Sequence, residues 1–405
     1  MSGDQAWLAI LGIGEDGVEG LSSPARARLG AAAAVFGGAR HLALAAPLIR
    51  GEAIAWPERL KTAIPAILAR RGEPIAVLVS GDPFCFGLGS LLAEQVPMAE
   101  MQIIPAPSAF SLACARLGWS RQRVTTLSFC GRPLAALIPQ LQPRTRALAL
   151  SADATTPGKV AALLSARGFG PSRVHVLEAL GGPRERVRET TAEAFALDDV
   201  GPLNLVALEF EARPGAVVIP RAAGLADDLF AHDGQISKRE ARALALSALA
   251  PRRGEVLWDI GAGAGSVAIE WLLADPANAA IAIEADPARA GRIRVNAENL
   301  GVPGLVVVAG HAPAALAGLP RPDAVFIGGG ARTPGMIAAA WAALSSGGRL
   351  VAHAVAIETE MALMAARAEL GGRMTRIGVE RLEPLGRLHG FRPAMRVTQW
   401  VAEKP

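Results

Sequence analysis

The 405-residue sequence predicts an α/β chain built of two successive units, and three observations carry that prediction. Residues 255–271, EVLWDIGAGAGSVAIEW, read without interruption as a buried strand, a glycine turn and the opening of a helix. Near the N-terminus WLAILGIG repeats the pattern of an apolar strand running into glycines, here Gly12 and Gly14. Between residues 213 and 236 the periodicity fades through Arg213-Pro214-Gly215, Pro220, Asp227-Asp228 and Asp233-Gly234. A linker is expected there, with one domain over residues 1–212 and another over 237–405.

After WLAILGIG, Pro24 opens a helix, and the very apolar window LGAAAAVFGGARHLALAAPLI is broken by Gly37, Gly38, Arg40 and His41. It predicts a helix, a turn and a second element instead of a membrane span. PIAVLVSGDPF is a near-continuous apolar strand ending in Ser80-Gly81-Asp82-Pro83, and MQIIPAPSAF is a strand whose Ser108 caps the helix behind it. RALALSA, RVHVLEALGG and LNLVALEFEA supply further strands, with a helix over TPGKVAALLSARG between the first two.

In the second unit, Ser237-Lys238-Arg239-Glu240 has the spacing of a capping box before an apolar helix. Gly261, Gly263 and Gly265 then leave the backbone bare where it must turn, and Ser266 starts the next helix. The strand AIAIEA ends at Glu284, where a doubly wound sheet places a carboxylate for ribose hydroxyls. A dinucleotide fingerprint would need glycine at position 266, so the pattern favours S-adenosylmethionine, which brings no phosphate; Asp259 offers charge to its ammonium. A strand ending at Gly310, then DAVFIGG, GRLVAHAVA, MTRIGVE and AMRVTQWVAE follow, with helices between the first four, none between the last two, and an antiparallel pair expected at the edge from those two.

The composition excludes several classes. The 41 basic and 37 acidic residues show no basic tail, and the chain has no tyrosine, so no nucleic-acid partner is expected. The start has an acid, no basic n-region and a short apolar run, so neither export nor a membrane partner is expected. Cys85, Cys114 and Cys130 lack C-x-x-C spacing and read as reduced thiols of a cytoplasmic protein. The six histidines are too dispersed for a metal site.

These motifs carry a resemblance. The first half resembles the tetrapyrrole (class III) methylases through LGIGEDGVEGL, FGGARHL, VLVSGDPF, PAPSAFSLACARLGW and LEALGGPRER. The second resembles the class I precorrin methyltransferases, which are Rossmann-like, through ISKREARALALSAL, LWDIGAGAGSVAIE and DAVFIGGG. The fusion resembles the decarboxylating C(5,15)-methyltransferases of cobalamin biosynthesis. That resemblance implies two S-adenosylmethionine sites and a tetrapyrrole substrate methylated at C5 by the first half. It also implies methylation at C15 and loss of the ring C acetate carboxyl by the second half. The cofactor contacts it implies are Leu11, Gly12, Gly81, Asp82, Ser108 and Ala109 in the first half. In the second they are Ser237, the stretch Gly261, Ala262, Gly263, Ala264 and Gly265, with Glu284 and Ala312. Cys85-Phe86 stands where the family more usually shows two aromatics, and His311 where an acid often precedes Ala312.

Methyl transfer from a sulfonium requires alignment more than a nucleophilic side chain, in keeping with the lack of a Ser/His/Asp or Cys/His signature. No acid or base is assigned, His353 at a strand end being the one candidate, and a homo-oligomer is expected. A nicotinamide-dependent oxidoreductase and an RNA methyltransferase are the alternatives that the glycine turn leaves open.

Overall fold

The computed structural model describes residues 6–57 and 62–405; the first five residues of the N-terminal stretch read above lie outside them. The chain divides into two compact units, one of Met1–Leu134 with Leu141–Val217, the other of Ala135–Gln140 with Val218–Pro405.

The first unit begins with β1 (Leu8–Ile13), α1 (Ser23–Ala31), β2 (Ala34–Gly37), α2 (Ala39–Ala45), β3 (Glu52–Ala55), α3 (Ala63–Leu68), β4 (Ile75–Ser80), α4 (Gly89–Ala93), β5 (Met101–Ile104) and α5 (Ala109–Leu117). Its strands form a parallel sheet in the order β3-β2-β4-β1-β5. Alternation along β1 explains why both faces are covered. Leu8 and Ile10 pack into one core with Phe36, Val77 and Val79, whereas Ala9, Leu11 and Ile13 pack into another with Val35, Ala76 and Leu78. The window expected as a helix and one further element holds a strand as well, because the short apolar run AVFG at β2 pairs between β3 and β4.

A second sheet follows in the same unit: β6 (Val124–Ser128), β7 (Arg146–Leu150), α6 (Thr156–Ala166), β8 (Arg173–Glu178), β9 (Arg186–Thr191) and β10 (Asn204–Glu209), in the order β6-β7-β10-β8-β9. Only β6 and β7 are parallel. β9 carries polar residues at nearly every position, RVRETT, which hid it from a search for apolar strands.

The second unit runs α7 (Arg239–Leu249), β11 (Val256–Ile260), α8 (Ser266–Ala274), β12 (Ala279–Glu284), α9 (Pro287–Asn299), β13 (Val306–Ala309), β14 (Ala324–Ile327), α10 (Met336–Ala343), β15 (Arg349–Ala354), α11 (Ile357–Leu370), β16 (Arg373–Ile377), β17 (Glu380–Leu385), β18 (Leu388–Pro393) and β19 (Val397–Glu403). The sheet order is β13-β12-β11-β14-β15-β19-β16, parallel through β15 and antiparallel beyond it. The strand order reverses between the parallel neighbours β11 and β14, with β12 and β13 on one side and β15 on the other, and this switch point leaves a crevice at the carboxyl ends of the strands.

The structure departs from the expected pattern at three places. Between β13 and β14 there is only a short 3-10 turn at Ala314–Leu316 in place of a helix. β17 and β18 form a separate two-stranded hairpin between the two antiparallel edge strands. The capping box is absent: Lys238 is the N-cap of α7 and makes no side-chain cap bond, while Glu240 pairs with Arg381.

Part of the expected linker is packed structure. Glu270, on α8, accepts from the backbone N–H of Gly224 at 2.7 Å and of Leu225 at 2.9 Å, and also takes Nε–H of the fully buried Arg242. Arg242 in turn donates to Asp227 at 3.0 Å and lies over the Phe230 ring. Ala231 exchanges two backbone hydrogen bonds with the Asn296 amide. Residues 224–231 are thereby tied down as a strap on the second unit, because a buried carboxylate and guanidinium need every one of these partners. Among the described residues, no helix is long and apolar enough to cross a membrane.

Candidate active sites

Each unit holds one cavity against its glycine-bearing strand ends. In the first unit a cavity of about 360 Å³ is lined by Ile13-Gly14-Glu15 after β1, by Leu78–Gly81 of β4, and by Pro107–Phe110 at the head of α5. Leu150, Leu177 and Leu205 of the second sheet close it opposite. The strand ends are laced by backbone: Gly81 N–H donates to Ile13 O at 3.2 Å, and Ala106 N–H donates to Gly81 O at 3.1 Å. Gly81 has φ +58°, and a Cβ there would stand 2.8 Å from Pro107 O, so no other residue fits this turn without displacement.

The implied contacts of this half separate into two groups. Gly81, Ser108 and Ala109 line the cavity, with Ser108 Oγ capping α5 by accepting from Ser111 N–H at 3.2 Å. Leu11, Gly12 and Asp82 do not line it. Leu11 is wholly buried in the core. Gly12 is a packing glycine, since its Cβ would fall 1.9 Å from Gly81 O. Asp82 accepts from Phe84 N–H at 2.9 Å and shapes the loop.

Arg40 and His41 of FGGARHL, to which the resemblance gives no role, also line this cavity. Arg40 is ion-paired to Glu15, whose side chain is 8% exposed. Arg40 Nη2–H also donates to Ser80 Oγ at 2.9 Å and to His41 Nε2 at 2.8 Å. The signal was an Arg-His pair following two glycines at a strand end, which sequence alone cannot place opposite Ser80.

In the second unit a cavity of about 640 Å³ spans the ends of β11, β12, β13, β14 and β15, with Gly234–Lys238 along one side. Ser237, Gly261, Ala262, Gly263, Glu284, Ala312 and His353 all line it. Glu284, nearly buried, takes Gly263 N–H on one carboxylate oxygen at 2.8 Å and Asp286 N–H on the other at 3.0 Å. It therefore braces the turn and keeps a free lone pair on each oxygen for a ligand hydroxyl. Gly261 and Gly263 both have positive φ, and Cβ atoms on them would meet Gly329 backbone and Gln235 O at 2.9 and 2.8 Å.

Three residues expected at the ligand sit behind the turn. The carbonyl of buried Ala264 accepts from Asn296 at 2.9 Å, and a Cβ on Gly265 would strike Ile293 of α9 at 2.7 Å. Asp259 does not line the cavity. It is 1% exposed, with one oxygen on Ala268 N–H at 3.0 Å and the other without a hydrogen-bond partner. Burial, with Glu284 adding repulsion, pushes its carboxyl up to about 7. The role is to tie β11 to α8. His353 Nε2 meets Gln399 Oε1 at 2.9 Å and its ring lies edge-on to Phe326, and burial lowers its pKa. It is a satisfied histidine that faces the cavity. Arg289, Lys238, Arg381, Thr333 and Gly328–Gly330 also line the space and went unassigned, because they come from loops far apart in sequence.

A glycine cradle that any Cβ would fill, over a carboxylate with spare acceptor capacity, fits the adenosine and methionyl parts of S-adenosylmethionine. Comparison with known proteins points the same way. The tetrapyrrole (corrin/porphyrin) methylase family model matches residues 8–196, and the precorrin methyltransferase domain model matches residues 228–404. A Sinorhizobium protein named precorrin-6Y C(5,15)-methyltransferase [decarboxylating] is 55% identical over 394 residues, covering 97% of this chain and 95% of that one. The Mycobacterium tuberculosis protein of the same name is 40% identical over 406 residues, covering 98% of this chain and 100% of its own. A shorter Salmonella typhimurium relative, named cobalt-precorrin-6B C(15)-methyltransferase (decarboxylating), is 36% identical over 173 residues, 41% of this chain and 89% of its own length.

Proposed function

The chain belongs to the precorrin-6Y C(5,15)-methyltransferase (decarboxylating) family, and from that premise we propose that its two cavities are two S-adenosylmethionine sites with divided chemistry. The enzyme is a decarboxylating methyltransferase of cobalamin biosynthesis that acts on a tetrapyrrole. In the proposed division the first unit methylates carbon 5. The second methylates carbon 15 and releases carbon dioxide from the ring C acetate.

The observation that carries the reading is that each unit has its own cavity at the carboxyl ends of its own parallel strands. Gly81, Ser108 and Ala109 hold the donor in the first. Ser237, Gly261, Ala262, Gly263, Glu284 and Ala312 hold it in the second. The division is further supported by the Salmonella relative: a protein matched over only 41% of this chain carries the C(15) and decarboxylating name by itself.

The donor supplies a methyl on a sulfonium, an electrophile with its leaving group built in. The protein's part is to align that methyl with the attacking ring carbon and to exclude water. Arg289, Lys238 and Arg381 at the second cavity are suited to the acidic arms of the macrocycle. Decarboxylation needs an electron sink, which the conjugated ring provides once protonated. The test is mass spectrometry of the product made from precorrin-6Y, with calorimetric titration by S-adenosylhomocysteine. Two added methyls, loss of carbon dioxide and two sites are expected. A stoichiometry of one in an active, fully folded chain would refute the two-site reading.

A further inference from the structure

Each methyl transfer from a sulfonium to a neutral ring carbon releases one proton. The ring carbon's electron pair forms the new bond to the methyl carbon, the carbon–sulfur bond breaks and sulfur keeps that pair. The positive charge passes to the conjugated macrocycle. A C–H proton at the methylated carbon must then leave, its electrons restoring the conjugation. Something in the first cavity has to take that proton.

Among the cavity's lining residues, one cluster combines a hydroxyl with an unprotonated nitrogen. Ser80 Oγ at the end of β4 lies 2.8 Å from His41 Nε2, and both residues line the cavity. Arg40 can only donate, and its Nη2–H points at the same Nε2 from 2.8 Å. Nε2 is therefore the acceptor of the ring, and the ring proton sits on Nδ1, which is buried without a partner. The neighbouring charges keep this state. Burial and the Arg40 guanidinium push the His41 pKa down to about 4, so at neutral pH the ring is empty of a second proton. Glu15 pairs with Arg40 and has Arg184 at 3.9 Å. Cys85 and Cys130 are the remaining titratable groups lining the cavity.

We propose that His41, reached through the Ser80 hydroxyl, is the proton acceptor of the first unit's methyl transfer, with Arg40 and Glu15 as the pair that positions the ring. Ser80 Oγ takes the macrocycle proton as its own passes to His41 Nε2. Repulsion from Arg40 then returns the proton to water as product leaves. This rests on the assignment of carbon 5 to the first unit.

The test uses the full chain. His41→Gln and Ser80→Ala are compared with wild type for carbon 5 methylation, for carbon 15 methylation with carbon dioxide release, and for S-adenosylhomocysteine binding at both sites. The inference expects the carbon 5 rate to fall about 100-fold or more in His41→Gln and about tenfold in Ser80→Ala. It expects unchanged binding and an unchanged second reaction, which also reports that both variants are folded. Nitrogen-15 shifts of histidine, assigned to His41 by its loss in His41→Gln, should show the neutral Nδ1–H tautomer at pH 7. An Nε2–H or doubly protonated ring would overturn the inference. So would a full carbon 5 rate in His41→Gln when Gly81→Leu abolishes it, an outcome that leaves the division of labour intact. Carbon 5 rates intact in both variants would remove the division and the inference with it.

Discussion

The two cavities both expose bare backbone at strand ends, by different means. In the second unit the turn is a run of three glycines, all at positive φ, held by side chains: Glu284 takes Gly263 N–H and Asp259 takes Ala268 N–H. In the first unit the strand ends are tied to each other through Gly81 backbone and through Arg40, which bridges Glu15 after β1 and Ser80 at the end of β4, and Arg40, His41 and Ser80 also face the cavity. One site uses its carboxylates to hold the loop. The other links its polar groups into a network that lines the cavity. The difference teaches that the conspicuous glycine motif marks a wall of bare backbone, and that a cavity's polar network can lie where no such motif draws attention.

The largest effect should come from the strap. A fragment of the second unit beginning at Val218 is expected to fold, whereas one beginning at Ser237 leaves Glu270 without two backbone donors and uncovers the burial sites of Leu225 and Phe230. The shorter fragment should be less stable by on the order of 5 kcal/mol in urea unfolding. Equal midpoints for the two fragments would show that residues 218–236 are a loose linker after all, and by the same logic early proteolysis is expected near Gly215 and not at Asp227.

Close packing at the glycine cradle gives the next effect. Gly263→Arg puts a side chain on a φ of +58° where a Cβ already meets Gln235 O at 2.8 Å. Carbon 15 methylation and carbon dioxide release should fall together by ~100-fold or more, with carbon 5 methylation spared. Asp82→Ala removes one loop hydrogen bond, to Phe84 N–H, and no ligand contact. Its effect should stay near 1 kcal/mol, about tenfold or less on carbon 5 methylation alone. Isotope-labelled methyl transfer read by product mass and NMR separates these outcomes. Carbon dioxide release surviving in Gly263→Arg would mean that decarboxylation does not belong to the second unit.

How much of this was legible in the chain follows from where the information lies. Strand ends that run into glycine, such as Ile260-Gly261 and Ser80-Gly81, are local signals, and the strands before them pair as their apolar pattern implies. The roles inside a motif were harder. Asp259, Ala264 and Gly265 are contiguous with residues that line the cavity, yet they point at α8 and α9 because successive positions in a turn cannot all face one way. The β17–β18 hairpin and the polar strand β9 were missed because mostly exposed strands lack an apolar pattern. Ser237-x-x-Glu240 matched a capping box by spacing, but Glu240 is drawn to Arg381, 141 residues away. Tertiary partners of this kind decide a side chain's role and leave no trace in local sequence.

The smallest effect, and the one that compares the sites most directly, is in the pH dependence of stability. Asp259 has its pKa raised by burial from 3.8 to about 7, so between those values the folded chain holds a proton that the unfolded chain has lost. Its contribution is complete below 3.8 and disappears as pH rises to about 7. His41 has its pKa lowered from 6.5 to about 4 by burial and Arg40, so in that window the unfolded chain takes up a proton that the folded ring refuses. Its contribution is complete above 6.5 and disappears as pH falls to about 4. The two sites therefore slope in opposite directions. Asp259→Asn, which keeps an acceptor for Ala268 N–H and carries no charge, should gain on wild type as pH rises from 4 towards 7. His41→Gln should gain on wild type as pH falls from 6.5 towards 4. Denaturant unfolding of the full chain at four or five pH values, taken as differences from wild type, isolates each group from the other titrating residues. If both differences run the same way, one of the two environments has been misassigned: either Asp259 is solvated behind its turn, or His41 is already charged and cannot receive a proton.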